Sequence, residues 1–404
     1  MPSADFEAFD REVISFLDAR AERAATAEPD WGIGDDVLSS YVYRSEAEEA
    51  ERLRAARAWK AVEFDAGFGW VSGPVDAGGS GLSAEHERRY LTLRSGYDIP
   101  SLNVFAISLG MVAPSFLAFG APEISALVPR MHRGDLVGCQ LFSEPGAGSD
   151  VAGLTTRAER DGDEWVINGQ KVWTSVAHLA DWGLLLARTN LDAPKHKGIT
   201  AFAIDMRTPD VDVRSLEMMT RGREFNEVFF DDVRVPDTRR LGEVDQGWGV
   251  AIATLMNERA LGAAGSDLFG VGRALERLRM TVQLPGMGGD DPTIRQDLAR
   301  VHSMAETIRY QSIAADSRRQ AGLPPGPAES VFKLANTETL RRIVQLAGRI
   351  FGPRAIADTG EWGTYSWADM ILTVPGMRIA GGSDEVMRNI LAERVLGLPK
   401  DPTS

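Results

Sequence analysis

The chain has 404 residues, 44% of them hydrophobic and 25% charged, the composition of a folded protein with two or three domains of roughly 150 residues each. Its 58 acidic residues against 44 basic ones leave a formal charge of −14, and with no long basic tract this excludes general binding to nucleic acid or to an anionic membrane. A single cysteine, Cys139, and five scattered histidines exclude an intramolecular disulfide and a structural zinc cluster. An acidic N-terminus without a basic segment, and the lack of any ~18-residue apolar run, predict a cytoplasmic protein with no membrane span.

Apolar positions Phe6, Phe9, Val13, Phe16 and Leu17 recur at helical spacing and predict an opening helix over Asp5 to Arg23. Pro29 to Ser39 reads as a loop, the alanine-rich run Glu46 to Phe64 as helix, and the glycine-rich stretch Gly67 to Ser83 as a break. Ala84 to Arg94 is again helical, and Leu102 to Leu127 is apolar but interrupted at Pro114, Gly120 and Pro122. From about Asp135 to Asp245 short apolar runs alternate with turn chemistry, which predicts strands at 165–167, 170–173, 183–187, 199–204 and 228–230. Asn168-Gly169 between two of them predicts a hairpin turn, because both residues tolerate positive φ. After Gly249 helical periodicity returns at 250–262, 268–281, 294–320, 331–351 and 385–395, with Leu298, Val301, Ala305 and Ile308 as one stripe and Leu340, Val344 and Ala347 as another. The fold class expected is α+β: an N-terminal α-helical domain (1–134), a central β-barrel-like domain (135–248) and a C-terminal four-helix bundle (249–404).

The segment Gln140 to Asp150, with Pro145, Gly146 and Gly148 beside Ser143, Glu144 and Ser149, reads as a ligand-contacting loop whose glycines impose a tight turn. It lacks the Gly-Lys-Ser/Thr ending of a phosphate-binding P-loop and the glycine spacing of a dinucleotide fold.

Phe142-Ser143-Glu144-Pro145-Gly146-Ala147-Gly148-Ser149-Asp150, followed by Asn168-Gly169-Gln170-Lys171-Val172-Trp173-Thr174-Ser175, resembles the two flavin signatures of the acyl-CoA dehydrogenase family. The resemblance continues at Pro74 with Gly78 to Ser83, at Asn257-Glu258-Arg259 and along Arg388 to Pro399, nearly the full length. It implies a noncovalently held FAD and oxidation of an acyl-CoA thioester to the 2,3-enoyl-CoA by loss of a C2 proton and a C3 hydride. It further implies that Ser143 and Ser175 hydrogen-bond the isoalloxazine, that Trp173 lies against its face, that Leu141, Phe142 and Thr174 complete those contacts, and that Ser149 meets the CoA pantetheine.

C2 is only weakly acidic until enolate charge is stabilised, so a carboxylate base is required. Many members carry it near the C-terminus in a Tyr-Glu-Gly-Thr pattern; here Ala380-Gly381-Gly382-Ser383 stands there, and Gly381 keeps only a backbone N–H to offer the thioester oxygen. Isovaleryl-CoA and long-chain enzymes place the glutamate on the first long helix after the β-domain, before an arginine. Glu258 and Arg259 match that pattern, Glu258 as base and Arg259 as a CoA contact. Arg279-Met280-Thr281 resembles an Arg-x-Thr that reaches the FAD pyrophosphate of a neighbouring subunit, without the usual Phe-Gly after it. Gln345 to Gly348 resembles a stretch contacting the adenine half, with Arg349 in place of the second glycine, and Ser383 and Glu385 fall where relatives touch FAD. The resemblance also implies electron-transferring flavoprotein as acceptor and a homotetramer, or a heterotetramer with a homologous chain. The alternatives are a noncatalytic partner subunit and a flavin monooxygenase on the same fold.

Overall fold

The computed structural model describes residues 4–24, 38–39, 41–263, 270–321, 323, 326–356 and 364–400, the side chains of 4, 258–263, 316, 319–320, 356 and 364–366 excepted. The chain divides into two compact units, one of residues 1–27, 44–216 and 223–254, the other of residues 28–43, 217–222 and 255–404.

The first unit opens with helices α1 (Ala4–Asp18), α2 (Glu46–Asp65) and α3 (Ala84–Arg94), followed by the short α4 (Ala113–Phe119), α5 (Pro122–Ser125) and α6 (Val128–Arg133). Ser45 starts α2 through a capping box, accepting from the Glu48 N–H while the Glu48 carboxylate accepts from the Ser45 N–H at 2.7 Å. Phe9, Val13, Phe16 and Leu17 of α1 bury together against Trp59, Phe68 and Tyr90, so the predicted stripe is the core face of that helix. Inside this core Glu63 accepts from Trp59 Nε1 (2.8 Å), Tyr90 Oη (2.6 Å), Arg94 (3.0 Å) and Lys60 (3.2 Å), the saturation a buried carboxylate requires. Pro114 is the second residue of α4, which continues directly from a π-helical turn over Ser108–Val112.

The strands are β1 (Gly138–Leu141), β2 (Arg157–Asp161), β3 (Glu164–Ser175), β4 (Trp182–Arg188), β5 (Ile199–Asp205), β6 (Val211–Leu216), β7 (Phe225–Pro236) and β8 (Arg240–Leu241). They form an eight-stranded sheet in the order β6-β7-β3-β2-β4-β5-β8, with β1 parallel to β4 off that path. Burial alternates along β7 but is continuous over Gly183–Arg188 of β4 and Ile199–Ile204 of β5, so those two strands are covered on both faces and read in sequence as unbroken apolar runs. One expectation is corrected here. Asn168-Gly169 is no hairpin turn; it lies inside β3, where the register with β7 slips between Ile167 and Gly169. Asn168 exchanges hydrogen bonds with Asp232, which sits at φ +53°. The hairpin turn is six residues earlier, where Asp161 pairs with Glu164 around Gly162 at φ +66°.

The chain passes into the second unit within α7 (Gly247–Ala263), after Thr254. That unit holds α8 (Val271–Gln283), α9 (Pro292–Gln320), α10 (Ser330–Phe351), α11 (Thr364–Met377) and α12 (Asp384–Arg394). α10 packs against α8, α9, α11 and α12 and buries Leu340, Ile343, Val344 and Ala347, with Val301 from α9 and Trp367, Met370 and Val374 from α11. α11 was not predicted from the sequence: it is apolar around most of its circumference and carries Pro375 inside the helix, so neither a stripe nor a clean stop signal marks it. The loop reading for Pro29 to Ser39 and the helix start at 268 fall mostly outside the described residues.

Candidate functional site

The loop after β1 is fastened to β3 by a buried ion pair. Lys171 is fully buried, and its Nζ donates to Glu144 Oε1 at 2.8 Å and to the Phe142 carbonyl at 3.1 Å. Glu144 also accepts from the Thr155 N–H (2.6 Å), the Thr155 hydroxyl (2.7 Å) and the Thr156 N–H (2.9 Å). Burial opposes its ionisation, but Lys171 and these donors outweigh burial and hold the carboxyl down at about 2. Burial pulls the Lys171 ammonium down to about 8 against the attraction of Glu144. Glu144, read from sequence as part of a ligand-contacting set, therefore points inward. The turn is closed by paired backbone bonds between Glu144 and Ala147 (3.1 and 3.0 Å). Gly146 and Gly148 are neither at positive φ nor crowded by neighbours, which corrects the expectation that the glycines impose the turn; the space in front of them is open.

With the loop pinned, the Val172 N–H donates to the Ser143 carbonyl at 2.9 Å, which sets Ser143 beside the second half of β3. There the ladder with β7 slips again between Lys171 and Thr174. Trp173 stands in the slip at φ +59° and Val176 follows at φ +53°, left-handed conformations that cost a bulky L-residue of order 1–3 kcal/mol each. The strain is held by the Val176 N–H to the Glu224 carbonyl at 2.8 Å and by buried Asn226, whose Nδ2 donates to the Thr174 carbonyl at 3.0 Å. Trp173 is consequently 61% exposed, braced edge-on by Phe225 at 6.0 Å. The Thr174 hydroxyl is buried without a partner, and among the described residues no hydrogen bond engages the Ser143 or Ser175 hydroxyl. An exposed indole face on a segment that also carries Ser175, with Ser143 held beside it through the Val172 N–H, fits a flat heteroaromatic group with a hydrogen-bonding edge. Leu141 and Phe142 are buried behind the loop, and Ser149 is exposed.

In the second unit, Gly381 sits at φ +66° and Gly382 at φ +88° between α11 and α12. The segment is tied down by Asp384, which is buried and accepts from Arg378 (2.7 Å), Thr337 (2.9 Å) and Lys333 (3.2 Å). Burial raises the Asp384 pKa, yet these three donors hold it below the ordinary range. Ser383 caps α12 by accepting from the Val386 N–H, and Glu385 is exposed in its first turn. Arg279 is exposed, paired with Glu276 at 3.1 Å, and borders a cleft of about 950 Å³ between α8 and α9. Gln345 accepts from Arg341 at 3.1 Å, while Arg349 is paired with Asp297 across α9 and α10. These two match positions are thus engaged within the chain. Glu258 and Arg259 lie in α7, and their side chains are outside the described residues. Sequence reasoning treated Lys171 as motif spelling alone; its signal was a lysine inside an otherwise apolar strand stretch, which demands a buried carboxylate.

Fold and site define a flavoprotein oxidoreductase built of helices, a central sheet and helices. Residues 139–233 match the acyl-CoA dehydrogenase middle domain and residues 245–396 the acyl-CoA dehydrogenase C-terminal domain. Acyl-CoA dehydrogenase IpdE1 of Mycobacterium tuberculosis is 37% identical over 356 residues, covering 87% of this chain and 90% of that protein. Among solved structures, the ChsE4-ChsE5 complex of M. tuberculosis superposes with a TM-score of 0.75 at 28% identity, 99% of each chain covered. The Tcur3481-Tcur3483 steroid acyl-CoA dehydrogenase gives 0.76 at 25% identity, also with 99% of each chain covered. The chain belongs to the acyl-CoA dehydrogenase family, enzymes that use FAD and act on CH–CH bonds. Among the described residues no helix is long and apolar enough to cross a membrane, and no cluster of three or more metal-ligating side chains occurs.

Proposed function

We propose that the protein oxidises a branched, long or bulky acyl-CoA to its 2,3-enoyl-CoA, with Glu258 as the base. The observation that carries this reading is the end of β3: Trp173, left-handed and 61% exposed, two residues before Ser175 and close to the Ser143 backbone that the Val172 N–H holds. Bound FAD supplies the two-electron acceptor for the hydride lost from C3. Trp173 would supply the stacking face, and the Ser143 and Ser175 hydroxyls would hydrogen-bond the flavin edge. Glu258 takes the C2 proton, and the C–H bond pair it leaves behind becomes the new double bond as the C3 hydride departs. The Gly381 N–H, with no partner among the described residues, donates to the thioester oxygen and spreads the enolate charge. Ser149 and Arg259 hold the CoA portion, and electron-transferring flavoprotein reoxidises the enzyme. Three domains, 1–134, 135–248 and 249–404, carry these roles in a cytoplasmic tetramer.

Glu258→Gln is expected to keep flavin bound and slow anaerobic flavin bleaching by substrate about 10²- to 10⁴-fold. Undiminished single-turnover bleaching rejects Glu258 as base.

A second reading concerns assembly. Gln345 and Arg349 are already engaged by Arg341 and Asp297, which leaves this chain poorly disposed to complete a neighbour's cofactor site. We infer a heterotetramer with a homologous chain, the arrangement that the names of the ChsE4-ChsE5 and Tcur3481-Tcur3483 structures suggest for those relatives. Fewer than one flavin per polypeptide in the heteromer supports it; a fully flavinated, fully active homotetramer overturns it.

A further inference from the structure

Beside the exposed indole, β3 runs one residue ahead of β7. Lys171 pairs with Val228 and Thr174 with Asn226, so Val172 and Trp173 together stand opposite Glu227, a bulge of two residues against one. A bulged residue loses its place in the ladder, and the ladder no longer fixes which way it turns. Here the chain takes Trp173 to φ +59° and then Val176 to φ +53°. Two bulky residues in the left-handed region so close together require a hold from outside β3.

That hold converges on one side chain. Asn226 is wholly buried, in register with Thr174 of β3 on one side and with Ser215 of β6 on the other. Its Oδ1 accepts from the Ser215 hydroxyl at 3.2 Å, which orients the amide so that Nδ2 faces the other way. Nδ2 donates to the Thr174 carbonyl at 3.0 Å and to the Glu224 carbonyl at 3.4 Å. The Glu224 carbonyl in turn accepts from the Val176 N–H at 2.8 Å. A single carboxamide thus ties the peptide that follows Thr174 to the carbonyl that anchors Val176. On the near side the Val172 N–H, bonded to the Ser143 carbonyl at 2.9 Å, completes a bracket around Trp173.

We propose that Asn226 is a positioning residue for the flavin: its carboxamide turns the Trp173 indole outward and thereby sets the affinity for FAD, acting through Thr174 because it is itself buried. The proposal rests on the reading of Trp173 as the stacking face. A side chain of similar size without a donor would leave the Thr174 carbonyl buried and unpaired, and the bulge would turn to satisfy it, carrying the indole with it.

The test measures the FAD dissociation constant of the full-length protein, in the assembly in which it purifies with flavin, after flavin removal and titration. The variants are Asn226→Leu, Ser215→Ala and Trp173→Gly, with each of the first two also placed in the Trp173→Gly background and thermal unfolding as a check on folding. Asn226→Leu is expected to weaken FAD about 10- to 100-fold. Ser215→Ala, which keeps the amide but removes the donor that orients it, should weaken it roughly 2- to 10-fold. Glycine takes positive φ unaided and has no indole to aim, so in the Trp173→Gly background either change should add less than about twofold. An equal factor in both backgrounds makes Asn226 a merely structural residue and overturns the proposal. Should Asn226→Leu not fold, Ser215→Ala carries the same comparison. A loss of affinity in Trp173→Gly with none in Asn226→Leu sinks the proposal alone, whereas unchanged affinity in Trp173→Gly removes the stacking reading and the proposal with it.

Discussion

At the scale of single residues, Trp173 carries a conformation that its side chain resists, and Gly169 one that any side chain would resist. Trp173 at φ +59° would be relieved by glycine, so Trp173→Gly is expected to stabilise the flavin-free protein by about 1 kcal/mol, strain relief outweighing the added backbone entropy. The same change removes the stacking face, and flavin absorbance per polypeptide should fall. Equal flavin retention in the variant would show that the indole does not support the ring. Gly169, at φ +150°, would place a Cβ 2.7 Å from the Thr156 Cα and 2.5 Å from its hydroxyl; Gly169→Ala should cost roughly 1–3 kcal/mol in denaturant unfolding. The residue types at the platform were legible as a motif. Their left-handed geometry was not, because nothing local favours positive φ at a tryptophan; hydrogen bonds from Asn226 and to Glu224 across β7 impose it.

At the scale of elements, the buried Lys171–Glu144 pair joins a loop to a strand 27 residues away. Removing one partner leaves the other charged and buried, so Lys171→Met should destabilise by about 3–5 kcal/mol, and the loop carrying Ser143 should loosen with it. Faster amide exchange at Val172, whose N–H donates to Ser143, would report that loosening; unchanged exchange would separate the ion pair from loop placement. Helix boundaries followed the apolar stripes closely, as at Ala84–Arg94 and Ser330–Phe351. The misplaced hairpin had a physical cause: Asn-Gly and the Gly162 turn offer the same positive-φ freedom, and cross-strand pairing with Asp232 decides which becomes a bulge.

For the whole molecule, acid stability follows from two buried groups. His132 stacks on Trp70 at 3.9 Å, and burial, then the charge of Lys60, hold its pKa near 3. A folded pKa below the ordinary 6.5 means the unfolded chain binds the proton first, so stability is full above 6.5 and declines as pH falls toward 3. Glu144, held at about 2 against an ordinary 4.5, adds a second loss that begins near pH 4.5 and runs to about 2. Thermal midpoints should therefore fall in two stages on acidification, and His132→Phe should flatten the first, between about pH 6.5 and 4.5. An unchanged slope there would place the acid sensitivity elsewhere.

Periodicity and turn residues by themselves determined the order helix, sheet, helix, because those signals reside in spacing along the chain and need no distant partner; the flavin reading of segments 142–150 and 168–175 came only from their resemblance to a family. Tertiary structure alone decided that Glu144 turns inward while Trp173 turns out, that Asn168-Gly169 bulges, and that apolar α11 is a helix. Each depends on a group brought near from far along the sequence, and burial makes that pairing obligatory where solvent would have left it optional.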